Sequence, residues 1–371
     1  MLKIDLTVYK ETKYYFYLFD IIIRDAKVKK EPLLRQIGIS PSSYRKSRSV
    51  ERNAGDKIIE QLCEYFGYTQ PDCEVVCSIE ELLNKIYSNV YYKIYTSYKE
   101  DLEYVNKLLD KNYIFHPVLK VIKLFILANS NIDVDVFVNE NRYLYDELQN
   151  YLSFFTDDLL EILDILSLLF EEQVKDVMIH RNYKNNLVYY SLATSLWNEE
   201  RYVECLFIVQ KAEDKLVKEQ NYRRLVSLNV IKIFCLNAIG NYKEGFELAS
   251  GMLLTIKSFI GVDYELKYIA SHLALCSLAL KKYEYCLEIL LNKEKVSLTD
   301  ICTILIAKYF INKEEYKTTY NYYYGLLGDE DKMILKWVDS YIKNKNKKSL
   351  SNLNHPKLIR YFINVIRDVI E

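Results

Sequence analysis

Residues 31–53 read EPLLRQIGISPSSYRKSRSVERN, and this stretch carries the signals for two short helices joined by a tight turn. A first helix over Pro32–Ile37 would begin with proline, whose missing N–H costs no hydrogen bond at that position. Gly38 supplies the turn, because glycine adopts a positive φ at little cost. Ser40 is suited to cap the second helix, with Pro41 at that helix's first position. The stretch therefore predicts a helix–turn–helix.

The second helix and its surroundings are basic. Between residues 24 and 52 there are nine Lys and Arg against three Asp and Glu, a net charge of +6. Since the whole chain has a formal net charge of −1, the remaining residues sum to −7. A polyanion is attracted to such a basic end. A solvated basic hairpin without a nucleic-acid role is the alternative, but the charge together with the turn-and-helix pattern favours DNA.

Candidate DNA contacts follow from the side chains of this region. Arginine reads guanine O6 and N7 with two hydrogen bonds, and residues at the start of a recognition helix meet phosphates or base edges. Tyr44 is predicted to pack in the core instead. A domain of this size is expected to bind a two-fold site as a homodimer. The predicted DNA-binding residues are Ser42, Ser43, Arg45, Lys46, Arg48, Arg52 and Arg35.

The run IGISPSSYRKSRSVERNAGDKIIEQLCEYFGY, residues 37–68, resembles the second half of a lambda-repressor-type (XRE/Cro) helix–turn–helix domain. In that family a Gly-hydrophobic-Ser turn leads into the recognition helix, and a polar loop and a closing helix follow. The resemblance covers about residues 10–70 and implies a loop over 51–55 and a closing helix over Asp56–Phe66. A first helix is predicted over Tyr9–Asp25, with apolar residues on one face. The chain departs from the family in having Lys30-Glu31-Pro32 where a Ser-Gln pair is usual, and polar residues near the end of the recognition helix.

Composition favours an all-α chain of two or three domains. The 371 residues include only five prolines and nine glycines, and turn-rich β architectures use more. We find no signal-peptide pattern and no apolar run of about 18 residues, so a cytoplasmic protein without a membrane span is expected. The eight cysteines lie mostly in apolar helical patterns, which suits reduced, buried thiols. Cys73 and Cys77 are close in sequence but lack the further ligands of a metal site, so neither a metal nor a cofactor is expected.

The turn sequence at residues 69–72 is the predicted boundary between a DNA-binding domain, 1–70, and a second domain, 71–371. Ser78 is predicted to cap the next helix. Divergent helical hairpins are expected within residues 78–180, for example Tyr98–Leu109 with Phe115–Leu127, and Asp157–Leu169 with the helix beyond it. A further helix is predicted over Asp331–Lys343. A final helix over Lys357–Ile370 would close the array or form a dimer face.

A repeated pattern runs through residues 183–330. Tyr202, Tyr242, Tyr283 and Tyr316 each begin a turn-and-helix segment and are separated by 40, 41 and 33 residues. A small or modest residue follows each tyrosine three positions later, as close helix packing requires. The pattern resembles the tetratricopeptide repeat, which implies a superhelix of helical hairpins with a concave groove.

Together the two halves look like the peptide-pheromone-sensing regulators of Gram-positive bacteria (the Rgg/PlcR/PrgX group). That resemblance implies a dimeric, quorum-sensing transcription factor whose repeats bind a short peptide. On the repeat register, groove positions are predicted where amide, hydroxyl and aromatic side chains face inward. They are Tyr190, Thr194, Asn198, Phe234, Asn237, Tyr268, Ser271 and His272.

Catalysis is not expected. The four histidines lie in no metal or nucleophile motif, and the glycines form no phosphate-binding loop. Three functions stay open: a peptide-regulated transcription factor, a repeat adaptor that binds a protein and retains a relic of the DNA-binding domain, and a hydrolase or phosphatase with an unrecognised site.

Overall fold

The computed structural model describes residues 3–49, 55–94, 96–130, 132–171, 173–256, 263–344 and 366–367. These residues form nineteen α-helices, two 3-10 helices and no β-strand, which confirms the predicted all-α class. None of the helices in the described part is long and apolar enough for a membrane span. The chain divides into two compact units, Met1–Ser191 and Leu192–Glu371.

The first unit contains helices of 5 to 19 residues and two 3-10 helices, Thr7–Lys10 and Gln149–Phe154. Its α-helices are α1 (Thr12–Asp25), α2 (Lys30–Gln36), α3 (Pro41–Arg48), α4 (Gly55–Phe66), α5 (Cys73–Tyr91), α6 (Lys99–Asp110), α7 (His116–Ala128), α8 (Val134–Leu148), α9 (Asp157–Phe170), α10 (Asp176–His180) and the first part of α11 (Asn186–Asn198).

The predicted apolar face of α1 is buried, and the turn between α2 and α3 forms as expected. Gly38 has φ +75°, and the Ser40 Oγ accepts from the Ser43 N–H at 3.0 Å. The position of Pro32 was predicted wrongly, because α2 begins two residues earlier, at Lys30. Proline is tolerated there since it still lies in the first turn, whose N–H groups have no intrahelical partner.

The cap of α5 was also predicted wrongly. The helix begins at Cys73, because the Asp72 carboxylate accepts from the Val75 N–H at 2.8 Å. Ser78 lies inside the helix, where its hydroxyl donates back to the Glu74 carbonyl oxygen at 3.0 Å. Aspartate is as good an N-cap as serine, so the earlier cap extends the helix by more than a turn.

The second unit continues as helices in chain order, and from α12 to α18 each helix packs on the next. Alternate helices also pack together, α13 on α15, α15 on α17 and α17 on α19. The predicted closing helix over 357–370 lies outside the described residues except for 366–367, as does most of the loop over 51–55. The helices are α12 (Tyr202–Lys218), α13 (Tyr222–Ala238), α14 (Tyr242–Ile256), α15 (Asp263–Ala279), α16 (Tyr283–Leu291), α17 (Leu298–Ile311), α18 (Lys313–Leu326) and α19 (Asp329–Asn344).

Small residues allow close helix contact where the repeat pattern predicts it. Cys205 and Cys286 are fully buried. Gly245 lies so close to its neighbours that an added Cβ would be 2.6 Å from Asn237 Oδ1 and 3.2 Å from Cys276 Sγ. Glycine is required there because α13, α14 and α15 meet at this point.

Candidate nucleic-acid and ligand sites

Asp20 of α1 is the acceptor that ties α2 and α3 to α1. Its carboxylate accepts from the Tyr44 hydroxyl at 2.8 Å and pairs with the Arg48 guanidinium at 3.0 Å. The Lys30 ammonium donates to it as well. Desolvation, reinforced by the Asp20 charge, raises the pKa of Tyr44, so the hydroxyl stays protonated and donates. Two donors from α3 and one from α2 therefore meet on one partly buried carboxylate, which holds both helices against α1.

The opposite face of α3 is exposed. Ser42, Ser43, Arg45 and Lys46 all have exposed side chains, while Tyr44 is 1% exposed as predicted. Ser42 and Ser43 lie in the first turn, where their hydroxyls surround the capping Ser40 at 3.0 and 2.7 Å. A helix start with exposed hydroxyls and two basic side chains is suited to phosphate contact.

The basic side chains of this region differ in their partners. Arg45 forms an ion pair with Glu31 at 3.2 Å, but the two side chains are 76% and 60% exposed, so this pair contributes little to stability. Arg48 is directed to Asp20 instead, and Arg35 is exposed on α2. Arg52 lies outside the described residues.

In the second unit, three of the predicted groove residues are near one another. The Phe234 ring lies edge-on to the His272 ring, with centroids 5.3 Å apart, and to the Trp197 ring at 5.1 Å. Ser271 accepts from the Lys293 ammonium at 2.7 Å. We call Trp197, Phe234, Ser271, His272 and Lys293 the aromatic–lysine cluster.

A buried ion pair anchors this cluster. Lys293 also pairs with Asp300 at 2.5 Å, and the two side chains are 11% and 2% exposed. Burial lowers the pKa of His272 from 6.5 to about 4; the Asp300 charge opposes this shift and the Lys293 charge adds to it. The imidazole is therefore neutral at neutral pH and can both donate and accept a hydrogen bond.

The remaining predicted peptide-binding residues have mixed environments. Asn237 is fully buried, and its Oδ1 accepts from the Cys276 thiol at 2.9 Å. Asn198 and Tyr268 are exposed, and Thr194 is half-buried. Tyr190 belongs to the first unit, where it is half-buried on α11.

Sequence reasoning missed Asp20, Trp197, Lys293 and Asp300. The sequence does contain a signal for Asp20. It is an acidic residue within the apolar pattern of α1, and such a residue needs a polar partner when it is buried. Lys293 lies in the connection between α16 and α17. The repeat pattern assigns groove positions to helices only, so it gave no reason to select this residue.

Comparisons of the chain with protein-family models, with curated proteins and with solved structures found no match in any of the three. The resemblance to peptide-sensing regulators therefore rests on the residues quoted above.

Proposed function

We propose that this protein is a DNA-binding transcriptional regulator in which α3 is the recognition helix and the second unit binds a short signalling peptide. The observation that carries the proposal is the arrangement of α3. Asp20 holds its inner face through Tyr44 and Arg48, which leaves the serines, Arg45 and Lys46 on the exposed face.

Electrostatics support DNA as the ligand of this face. The exposed Arg45–Glu31 pair is weak, so a phosphate can replace the carboxylate at little cost. Lys46 is one residue further on and adds a second exposed cation. Because one domain of this size makes few contacts, the proposal includes a homodimer on a two-fold operator.

The aromatic–lysine cluster supports peptide binding by the second unit. It combines the half-buried Trp197 ring with the buried rings of Phe234 and His272 and an ammonium–hydroxyl contact at 2.7 Å. Sites of this kind bind small ligands by apolar contact and use a few polar groups for orientation. Tyr268, one turn before His272 on α15, adds an exposed ring to the same helix. The proposed ligand is a short peptide with an apolar side chain, and its binding would alter DNA affinity.

DNA binding tests the first half of the proposal. Fluorescence anisotropy with DNA from upstream of the gene is expected to show tighter binding than with random DNA of equal length. Changing both Arg45 and Lys46 to Ala should abolish that preference. Changing both Lys99 and Lys107 to Ala removes the same charge from exposed positions of α6 and should leave the binding unchanged.

A protein-binding adaptor is the second candidate, and a specific observation favours it. Arg45 and Arg48, two of the cations predicted to read DNA, both pair with carboxylates of the chain. If the wild-type protein showed no binding to DNA even at low salt, the adaptor would be the better account. The aromatic–lysine cluster would then be tested with protein partners.

A further inference from the structure

Two of the eight free cysteines differ from the rest in exposure. Burial raises the pKa of Cys63 to about 11 and the pKa values of Cys286 and Cys302 to about 12. Such thiols stay protonated at neutral pH and react slowly. Cys73 and Cys77 are exposed, and the buried cysteines are Cys63, Cys205, Cys235, Cys276, Cys286 and Cys302.

Cys73 and Cys77 lie on the same face of α5, one helical turn apart, since side chains four residues apart are neighbours. The Lys10 ammonium donates to the Cys77 sulfur at 3.1 Å. The pKa of Lys10 lies above its ordinary value, chiefly because of this hydrogen bond, although desolvation opposes the shift. A cation in contact with a sulfur stabilises the thiolate, which is the nucleophilic form.

The contact with Lys10 is supported by the backbone around it. The Leu6 N–H donates to the Glu80 carboxylate at 2.8 Å. Asn84 accepts from the Ile4 N–H and donates to the Ile4 carbonyl oxygen, both at 2.8 Å. Residues 4–10 are thus fastened along α5, which places Lys10 beside Cys77.

We propose that Cys77 is an oxidation site for hydroperoxides, with Cys73 as the resolving thiol. The inference is independent of the proposed function. The Cys77 thiolate attacks an oxygen of the hydroperoxide, an S–O bond forms as the O–O bond breaks, and the oxidant leaves as water or an alcohol after taking up a proton. Cys77 becomes a sulfenic acid. The Cys73 thiol then attacks that sulfur, an S–S bond forms as the S–O bond breaks, and the hydroxyl group leaves as water with the proton of the Cys73 thiol.

The second step requires the first turn of α5 to tighten. The Cβ atoms of residues four apart on a helix are about 5–6 Å apart, whereas a disulfide needs about 3.5–4.5 Å. Cys73 is the first residue of α5, and its N–H has no intrahelical acceptor. Tightening this turn disturbs the Asp72 cap on the Val75 N–H but leaves the interior of the helix in place.

The test uses the full-length reduced protein, substoichiometric hydrogen peroxide and peptide mass spectrometry. We expect Cys77 to be oxidised at least about tenfold faster than any buried cysteine, and to form a disulfide with Cys73. In the Cys73→Ser variant, dimedone should instead trap a sulfenic acid at Cys77. Lys10→Gln should slow Cys77 oxidation several-fold. Lys85→Gln removes a charge from α5 that is paired with Asp101 at 2.9 Å. This control variant should not slow the oxidation of Cys77.

Oxidation of Cys77 no faster than that of the buried cysteines would overturn the proposal. So would an unchanged rate in Lys10→Gln, provided that circular dichroism shows the wild-type helix content. Equal dimedone trapping in the wild type and in Cys73→Ser would show that Cys73 does not resolve the sulfenic acid.

Discussion

The Tyr44 hydroxyl lies 2.8 Å from the Asp20 carboxylate and joins the centre of α3 to α1. The Tyr44 ring also packs edge-on against Phe16, with centroids 5.1 Å apart. A polar and an apolar contact from one residue thus fix both the position and the rotation of α3. These contacts of the buried face determine which side chains of α3 are exposed.

Removing this hydroxyl tests the arrangement. Tyr44→Phe keeps the ring but leaves the partly buried Asp20 carboxylate with one donor fewer, so the free energy of unfolding should fall by about 1–3 kcal/mol. Thermal or urea unfolding measures the change. Tyr65→Phe, at a ring that is 43% exposed on α4, is the matched control and should change stability by less than about 0.5 kcal/mol. Equal effects of the two substitutions would contradict the role given to Tyr44.

The two glycines of α14 should respond in opposite directions to alanine. At Gly245 the added methyl group meets Asn237 Oδ1 at 2.6 Å, and such overpacking should destabilise the protein by about 1–3 kcal/mol. At Gly251 no atom lies within 4 Å of the added Cβ, so the better helix propensity of alanine should stabilise by up to about 1 kcal/mol. Urea unfolding of both variants gives the comparison. A Gly245→Ala variant as stable as the wild type would show that α13, α14 and α15 do not meet so closely.

Acid should destabilise the protein through His272. Its pKa is about 4 in the folded chain against an ordinary value of 6.5, so the unfolded chain binds the proton more readily. The stabilisation is complete above pH 6.5 and is lost as the pH falls towards 4. Between about pH 7.5 and about pH 5 the loss from this residue should be about 2 kcal/mol.

Urea unfolding at both pH values measures the loss in the wild type and in His272→Gln, where the pH dependence should be smaller by that amount. His180→Gln, at an exposed histidine, should retain the full wild-type dependence. If His272→Gln retained it too, the histidine would not be buried in the neutral form.

Local rules predicted much of the fold from the sequence. The positive φ of Gly38 and the cap at Ser40 depend on nearby residues, and both predictions were confirmed, as was the all-α class. The start of α5 was predicted wrongly because Asp72 and Ser78 are both good caps, and their residue types alone do not decide which of them begins the helix. Asn237 illustrates the same limit, since periodicity places it on a helix but does not reveal that Cys276 and Gly245 enclose it.

At the candidate DNA site, the ion-pair partners of the two arginines could not be predicted from the sequence. Arg45 and Arg48 belong to the same run of basic residues, and both were predicted to contact DNA. The structure directs them to different carboxylates, Glu31 and Asp20, which differ in exposure. A substitution at Arg48 should therefore lower the stability of the protein as well as remove a charge. Substitution of Arg45 and Lys46 is the more specific test of DNA binding.

The most direct measurement of the central claim is the salt dependence of DNA affinity for the wild type and for the variant with Arg45 and Lys46 both changed to Ala. Each phosphate contact contributes about −0.9 to the slope of log K against log salt. If α3 binds DNA through these side chains, the wild type should show a slope of several units, and the variant's slope should be shallower by about 2. Identical slopes for the two proteins, or no binding by the wild type at low salt, would contradict the assignment of α3 as the recognition helix.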